Sequence, residues 1–224
     1  VSELLTLAKG TPVSLEVTKT DANGMVAEGN ELYNRFNPIA NNVVIKIPIN
    51  TSLNGKTKNT EGLSAIRALA QSRIPVNATL IFTPEQALLA AKAGATYVSP
   101  FVGRVDDYIR TQHGVGFEKG DYYPAEGYVH DGKHLQNNGV VSGVDLVKQI
   151  ATIFKNYNLR AQIIAASIRN TRQLREVALA GAHIATVPPE IIYQSLIHPQ
   201  TIEGMKKFSD DTPAEYAKLA QSKK

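Results

Sequence analysis

The chain has no cysteine among its 224 residues. That excludes disulfides, thiol nucleophiles and cysteine-ligated metals, and leaves a reducing compartment open to it. No apolar run approaches the ~20 residues that cross a bilayer, and Val1 to Gly10 is expected to be too short for a signal peptide. The cytoplasm is therefore the expected location, with no membrane partner. Glycines form neither a phosphate-loop nor a dinucleotide-binding pattern. Charge of one sign is not concentrated either. The net charge is +4 and the pI about 9.2, but lysines and arginines are scattered, and only Lys218 to Lys224 is locally basic. Such a distribution argues against nucleic acid and suits a small anionic ligand such as a sugar phosphate. With 43% hydrophobic residues, the chain can bury a substantial core and reads as one globular domain over 1–224.

Against this background one residue stands out. Lys46 lies within Val43-Val44-Ile45-Lys46-Ile47-Pro48-Ile49, otherwise apolar throughout. Apolar surroundings disfavour the ammonium form and free the amine to attack a carbonyl, so a Schiff base is the first expectation. The alternative is a strand lysine that carries its head to solvent.

β-Rich runs recur at 13–19, 43–49, 76–82, 96–102, 161–168 and 183–188, separated by helical periodicity at 60–71, 84–93, 142–157 and 171–180. Ala93-Gly94-Ala95 and Ala180-Gly181-Ala182 read as left-handed helix ends leading into strands. Parallel strands with crossover helices follow. Strand alternation puts Ser14, Glu16 and Thr18 on one face, and likewise Val44, Lys46 and Pro48, then Asn77, Thr79 and Ile81, then Tyr97, Ser99 and Phe101. Polar groups from several strands converging on one interior favour a (β/α)8 TIM barrel of the α/β class over an open sheet, although six strands are identified where a barrel has eight. Arg104 to Gly139 breaks the rhythm as a long βα loop excursion with a short helix around Asp106 to Thr111. His130 and His134 are four apart, but Asp131-Gly132 between them reads as a turn, so no metal site is expected.

The ordered strings Ser14-Leu15-Glu16-Val17, Val44-Ile45-Lys46-Ile47-Pro48, Asn77-Ala78-Thr79-Leu80-Ile81-Phe82, Ser99-Pro100-Phe101-Val102-Gly103-Arg104 and Ala165-Ala166-Ser167-Ile168-Arg169-Asn170 resemble the transaldolase family. Members are (β/α)8 class I aldolases that pass a dihydroxyacetone unit between sugar phosphates with no metal or other cofactor. The resemblance implies that Lys46 forms the Schiff base and that Glu16 and Thr79 hold a catalytic water. It further implies that Asn77 and Ser99 bind sugar hydroxyls and that Arg104, Ser167 and Arg169 bind phosphate. Phe101 resembles the transaldolases, where related fructose 6-phosphate aldolases carry tyrosine, and so favours transfer over release of free dihydroxyacetone.

The family's opening strand, with its aspartate in a Phe-Leu-Asp-Thr-like string, and a second strand with Thr-Asn-Pro have no counterpart here. Val1 to Gly10 resembles the helix that follows them. The chain is thus expected to begin about 40 residues late on the usual repeat, as a piece of a longer protein lacking the first two strands. The resemblance implies a cytoplasmic transaldolase, with an aldolase that releases dihydroxyacetone and a silent sugar-phosphate binder as alternatives. Barrels of this kind commonly assemble, so copies of the chain are expected partners, with a C-terminal helix at 212–222 available to reach a neighbour.

Overall fold

The computed structural model describes residues 1–53, 59–130, 132–213 and 216. They form two compact units, Val1–Val187 and Pro188–Lys224.

In the first unit, β-branched and apolar runs form six parallel strands: β1 (Val13–Glu16), β2 (Val43–Pro48), β3 (Val76–Ile81), β4 (Tyr97–Pro100), β7 (Gln162–Ala165) and β8 (Ile184–Ala185). They pair in the order β1-β2-β3-β4-β7-β8, as a curled sheet that makes half of a barrel. The six expected strands are these six. The helices of the unit are α1 (Ser2–Leu7), α2 (Ala22–Ala40), α3 (Glu61–Gln71), α4 (Pro84–Ala93), α5 (Val102–Gln112), α6 (Gly143–Asn156) and α7 (Thr171–Leu179). Sequential contacts α2 to α3, α3 to α4, α4 to α6 and α6 to α7 lay them over the sheet's outer face. Burial in α3 follows the helical period, at Gly62, Ala65, Ile66 and Leu69. Ile45 and Ile47, both fully buried, take the outward side of β2, which leaves Lys46 on the inner one. Gly94 and Gly181 adopt φ of +106° and +101°, as expected of glycines that turn a helix end into a strand.

Three sequence expectations are corrected. α2 is not among the expected helices; asparagines, glycines and Pro38 interrupt its apolar residues and only Met25 and Gly29 are buried, so hydrophobic periodicity gives little signal. α5 begins at Val102 immediately after its N-cap Phe101, and the strand before it stops at Pro100 rather than Val102. Hence 104–139 opens as a helix nearly twice as long as expected. The remainder includes a hairpin of β5 (Val129–His130) and β6 (Lys133–His134), with Gly132 at φ +72° and Asp131 outside the described residues. Finally, the alternation in β3 breaks. The register with β4 shifts between Ala78 and Ile81 and Leu80 takes φ +58°, a bulge that carries Ile81 off the inner face into full burial.

The second unit holds α8 (Pro189–Leu196) and α9 (Pro199–Asp210), each started by proline in its first turn. The helix expected at 212–222 lies largely outside the described residues. No helix among the described residues is long and apolar enough to cross a membrane.

Candidate active site

A cavity of about 690 Å³ opens on the sheet's inner face. Register builds its floor: Glu16 on β1 is level with Lys46 on β2, and Lys46 with Asn77 on β3. Asn77 is level with Tyr97 on β4. All four line the cavity. Lys46 Nζ donates to Glu16 Oε2 at 3.1 Å. The lysine side chain is 26% exposed and the glutamate 54%. The expectation of a lysine enclosed by apolar groups is corrected accordingly: its strand neighbours Ile45 and Ile47 are fully buried, while its own side chain is partly exposed beside a carboxylate.

Beside this pair runs a chain of polar groups, buried at Ser99 and Asn77 and exposed at Ser14. Ser99 Oγ donates to Asn77 Oδ1 at 2.7 Å, and Asn77 Nδ2 donates to Ser14 Oγ at 3.1 Å. Asn77 and Ser99 are both buried, so the chain orients the amide rigidly. Thr79 also lines the cavity. It is fully buried, yet its Oγ1 has no hydrogen-bond partner among the described residues. A buried hydroxyl at a cavity wall without a protein partner suits an ordered water or a ligand atom.

At the other end of the cavity stand Phe101, Arg104 and Ser167. Phe101 stacks on Phe82 with ring centroids 5.7 Å apart, and the Arg104 guanidinium lies 4.7 Å over the Phe101 ring. Ser167 has φ +64°, a strained value for a residue with a side chain, of the kind that clusters at functional sites. Arg169 is the one expected site residue that does not line the cavity; its Nη2 donates to Asp107 Oδ2 at 2.6 Å. Thr18, expected inside by alternation, lies past the end of β1, and its Oγ1 donates to Glu28 instead.

Some residues at or behind the cavity were not in the expected site. Ser14 and Tyr97 were already on the inner face by alternation, which was the signal available. Thr186 also lines the cavity, beyond the short β8, and nothing in the sequence singled it out. Asp106 is 2% exposed, accepts from the Gly143 N–H at 2.7 Å and from Gln173 Nε2 at 2.7 Å. Its removal from water pushes its carboxyl up to about 7, against the lowering effect of those donors and of Arg110.

A parallel, helix-covered half-barrel that turns polar side chains from several strands into one cavity is the arrangement of a barrel enzyme. The whole chain, residues 1–224, matches the transaldolase/fructose-6-phosphate aldolase family, and it belongs to that family. It is 42% identical over 200 residues to a probable transaldolase of Chlorobium chlorochromatii, covering 89% of this chain and 70% of that one. To a probable transaldolase of Halalkalibacterium halodurans it is 43% identical over 209 residues, 93% of this chain and 77% of the relative. A probable transaldolase of Carboxydothermus hydrogenoformans is 41% identical over 214 residues, 96% and 79% of the two chains.

Proposed function

We propose that the chain transfers a dihydroxyacetone unit through a Schiff base on Lys46, converting sedoheptulose 7-phosphate and glyceraldehyde 3-phosphate to erythrose 4-phosphate and fructose 6-phosphate. The observation that carries this reading is the Lys46–Glu16 contact of 3.1 Å on the floor of a cavity whose volume of about 690 Å³ can take a sugar phosphate. The lysine amine adds to the ketose carbonyl, and loss of water gives the iminium. The hydroxyl on the carbon β to the iminium gives its proton to a bound water and the bond between the α and β carbons breaks, its electrons passing to the iminium nitrogen; the aldose leaves, an enamine remains, and the proton is returned when the acceptor's carbonyl oxygen becomes the new hydroxyl. The enamine carbon attacks the carbonyl of the acceptor aldose, and water then hydrolyses the new iminium and frees Lys46.

Glu16 and the Thr79 hydroxyl, which has no partner among the described residues, would hold the water that enters and leaves in these steps, with the carboxylate taking and returning the proton. Asn77, fixed by Ser99 and Ser14, would bind sugar hydroxyls together with Ser99. Arg104, Ser167 and Arg169 would take the phosphate, with guanidinium geometry suited to its oxygens. The Phe101–Phe82 stack supports transfer over release, because an apolar wall keeps water from the enamine until the acceptor arrives. Copies of the chain as partners and the cytoplasm as location belong to the same reading.

Borohydride added with fructose 6-phosphate should trap a covalent adduct at Lys46, located by peptide mass spectrometry. The trap needs only imine formation and so tests the lysine apart from bond cleavage. Adduct that persists in Lys46→Ala would sink the assignment. Sustained release of free dihydroxyacetone without an acceptor would turn the reading to an aldolase.

A further inference from the structure

Arg169 is gripped from α5 rather than left free at the cavity wall. Its Nη2 donates to Asp107 Oδ2 at 2.6 Å, its Nε is buried with no partner among the described residues, and its backbone N–H donates to Gln173 Oε1 at 2.8 Å. Gln173 Nε2 in turn donates to the buried Asp106 at 2.7 Å. Gly103 makes room for this, since a Cβ there would come 2.5 Å from Arg169 Nε and 2.7 Å from its Cγ. Asp107 is itself held, with Arg110 Nη1 4.0 Å from its Oδ1. Arg110 is anchored by donating to the carbonyls of Asp121 and Tyr122. The Asp107 and Arg169 side chains keep only 25% and 13% of their exposure, so the pair is largely out of water, where charged hydrogen bonds are strong. Arg104 precedes Asp107 by one helical turn. One helix therefore carries Arg104, which lines the cavity, and the carboxylate that holds Arg169 beside it.

We propose that Asp107 is a positioning residue for phosphorylated substrates: it fixes Arg169 through Nη2, and with Nε buried over Gly103 this leaves Nη1 as the edge offered to the phosphate. This rests on Arg104, Ser167 and Arg169 forming the phosphate end, as proposed above. A structural role would weaken every ligand alike. A positioning role weakens only those that carry phosphate.

Titration calorimetry of the full chain with fructose 6-phosphate and with fructose separates the two, alongside steady-state kinetics. In Asp107→Asn the Kd and KM for fructose 6-phosphate should rise about tenfold, the order of one lost charge-assisted hydrogen bond, while kcat and fructose binding change little. Asp107→Glu should restore part of the loss, and Arg169→Ala should reproduce it. Asp107→Asn that leaves fructose 6-phosphate affinity intact, or that weakens both sugars equally, overturns the proposal. If Arg169→Ala fails to affect phosphate affinity, the phosphate end is misassigned and the role of Asp107 falls with it. Loss in Arg169→Ala without loss in Asp107→Asn removes Asp107 alone.

Discussion

With 26% and 54% of their side-chain surfaces exposed, Lys46 and Glu16 gain little stability from each other, roughly 0–1 kcal/mol as for other exposed pairs. Glu16→Gln should accordingly leave the denaturation midpoint nearly unchanged. If Glu16 handles protons, the same substitution should slow borohydride-trapped imine formation by roughly a hundredfold, the usual scale for a general acid–base. An unchanged trapping rate would reduce Glu16 to an ion-pair partner. The candidate floor was legible at this scale because a lone cation among β-branched residues is conspicuous, and because parallel strands in register put Glu16, Lys46 and Asn77 side by side. Arg169 was not legible in the same way. Its engagement with Asp107 spans 62 residues of chain and depends on how α5 docks against the segment after β7, which no local pattern encodes.

α5 shows why an element can hide from its own sequence. Its inward face includes Val102, Val105 and Ile109, but also Asp106 and Arg110, so a count of apolar residues finds only part of the stripe. Those charges are costly to bury unless paired, and Asp106 retains a proton-binding tendency as a result. Its folded pKa, about 7, lies above the ordinary carboxylate range, so between those values the folded state holds a proton that the unfolded chain has released. Stability must then fall as pH rises through this window and level off above about 7, with a contribution of a few kcal/mol at most at roughly 1.4 kcal/mol per unit. Asp106→Asn removes the titration and one of the two accepted hydrogen bonds. Urea denaturation at pH 5 and pH 8 should show the wild type losing more stability across that interval than Asp106→Asn, and parallel losses would contradict a buried, proton-binding Asp106. The bulge at Leu80 is a second case, since strict alternation predicted Ile81 on the inner face and one left-handed residue reversed it.

For the whole molecule, alternating strands and helices were enough to read a parallel sheet with its polar face inward, because each βα unit obeys the same handedness and the same burial pattern. What the pattern could not carry was α2, whose apolar residues are interrupted by asparagines, glycines and Pro38, or the division of the chain into two compact units, neither of which leaves a clear apolar period to count. Ligand linkage probes the first unit through the cavity it encloses. A sugar phosphate that binds only the folded state at a hundred times its Kd should stabilise the protein by about 2.7 kcal/mol, or about 5–11 °C in Tm for a chain of this size. Fructose 6-phosphate should produce that shift, and Arg104→Ala should reduce it at equal ligand concentration by withdrawing a phosphate ligand. Lys46→Ala separates the remaining functions, because noncovalent binding survives the loss of the amine while trapping by borohydride does not. A wild-type shift accompanied by trapped adduct and by erythrose 4-phosphate formed from sedoheptulose 7-phosphate supports the transferase. The same shift with neither adduct nor product would make the chain a sugar-phosphate binder, in which the lysine and its carboxylate hold the ligand without reacting with it.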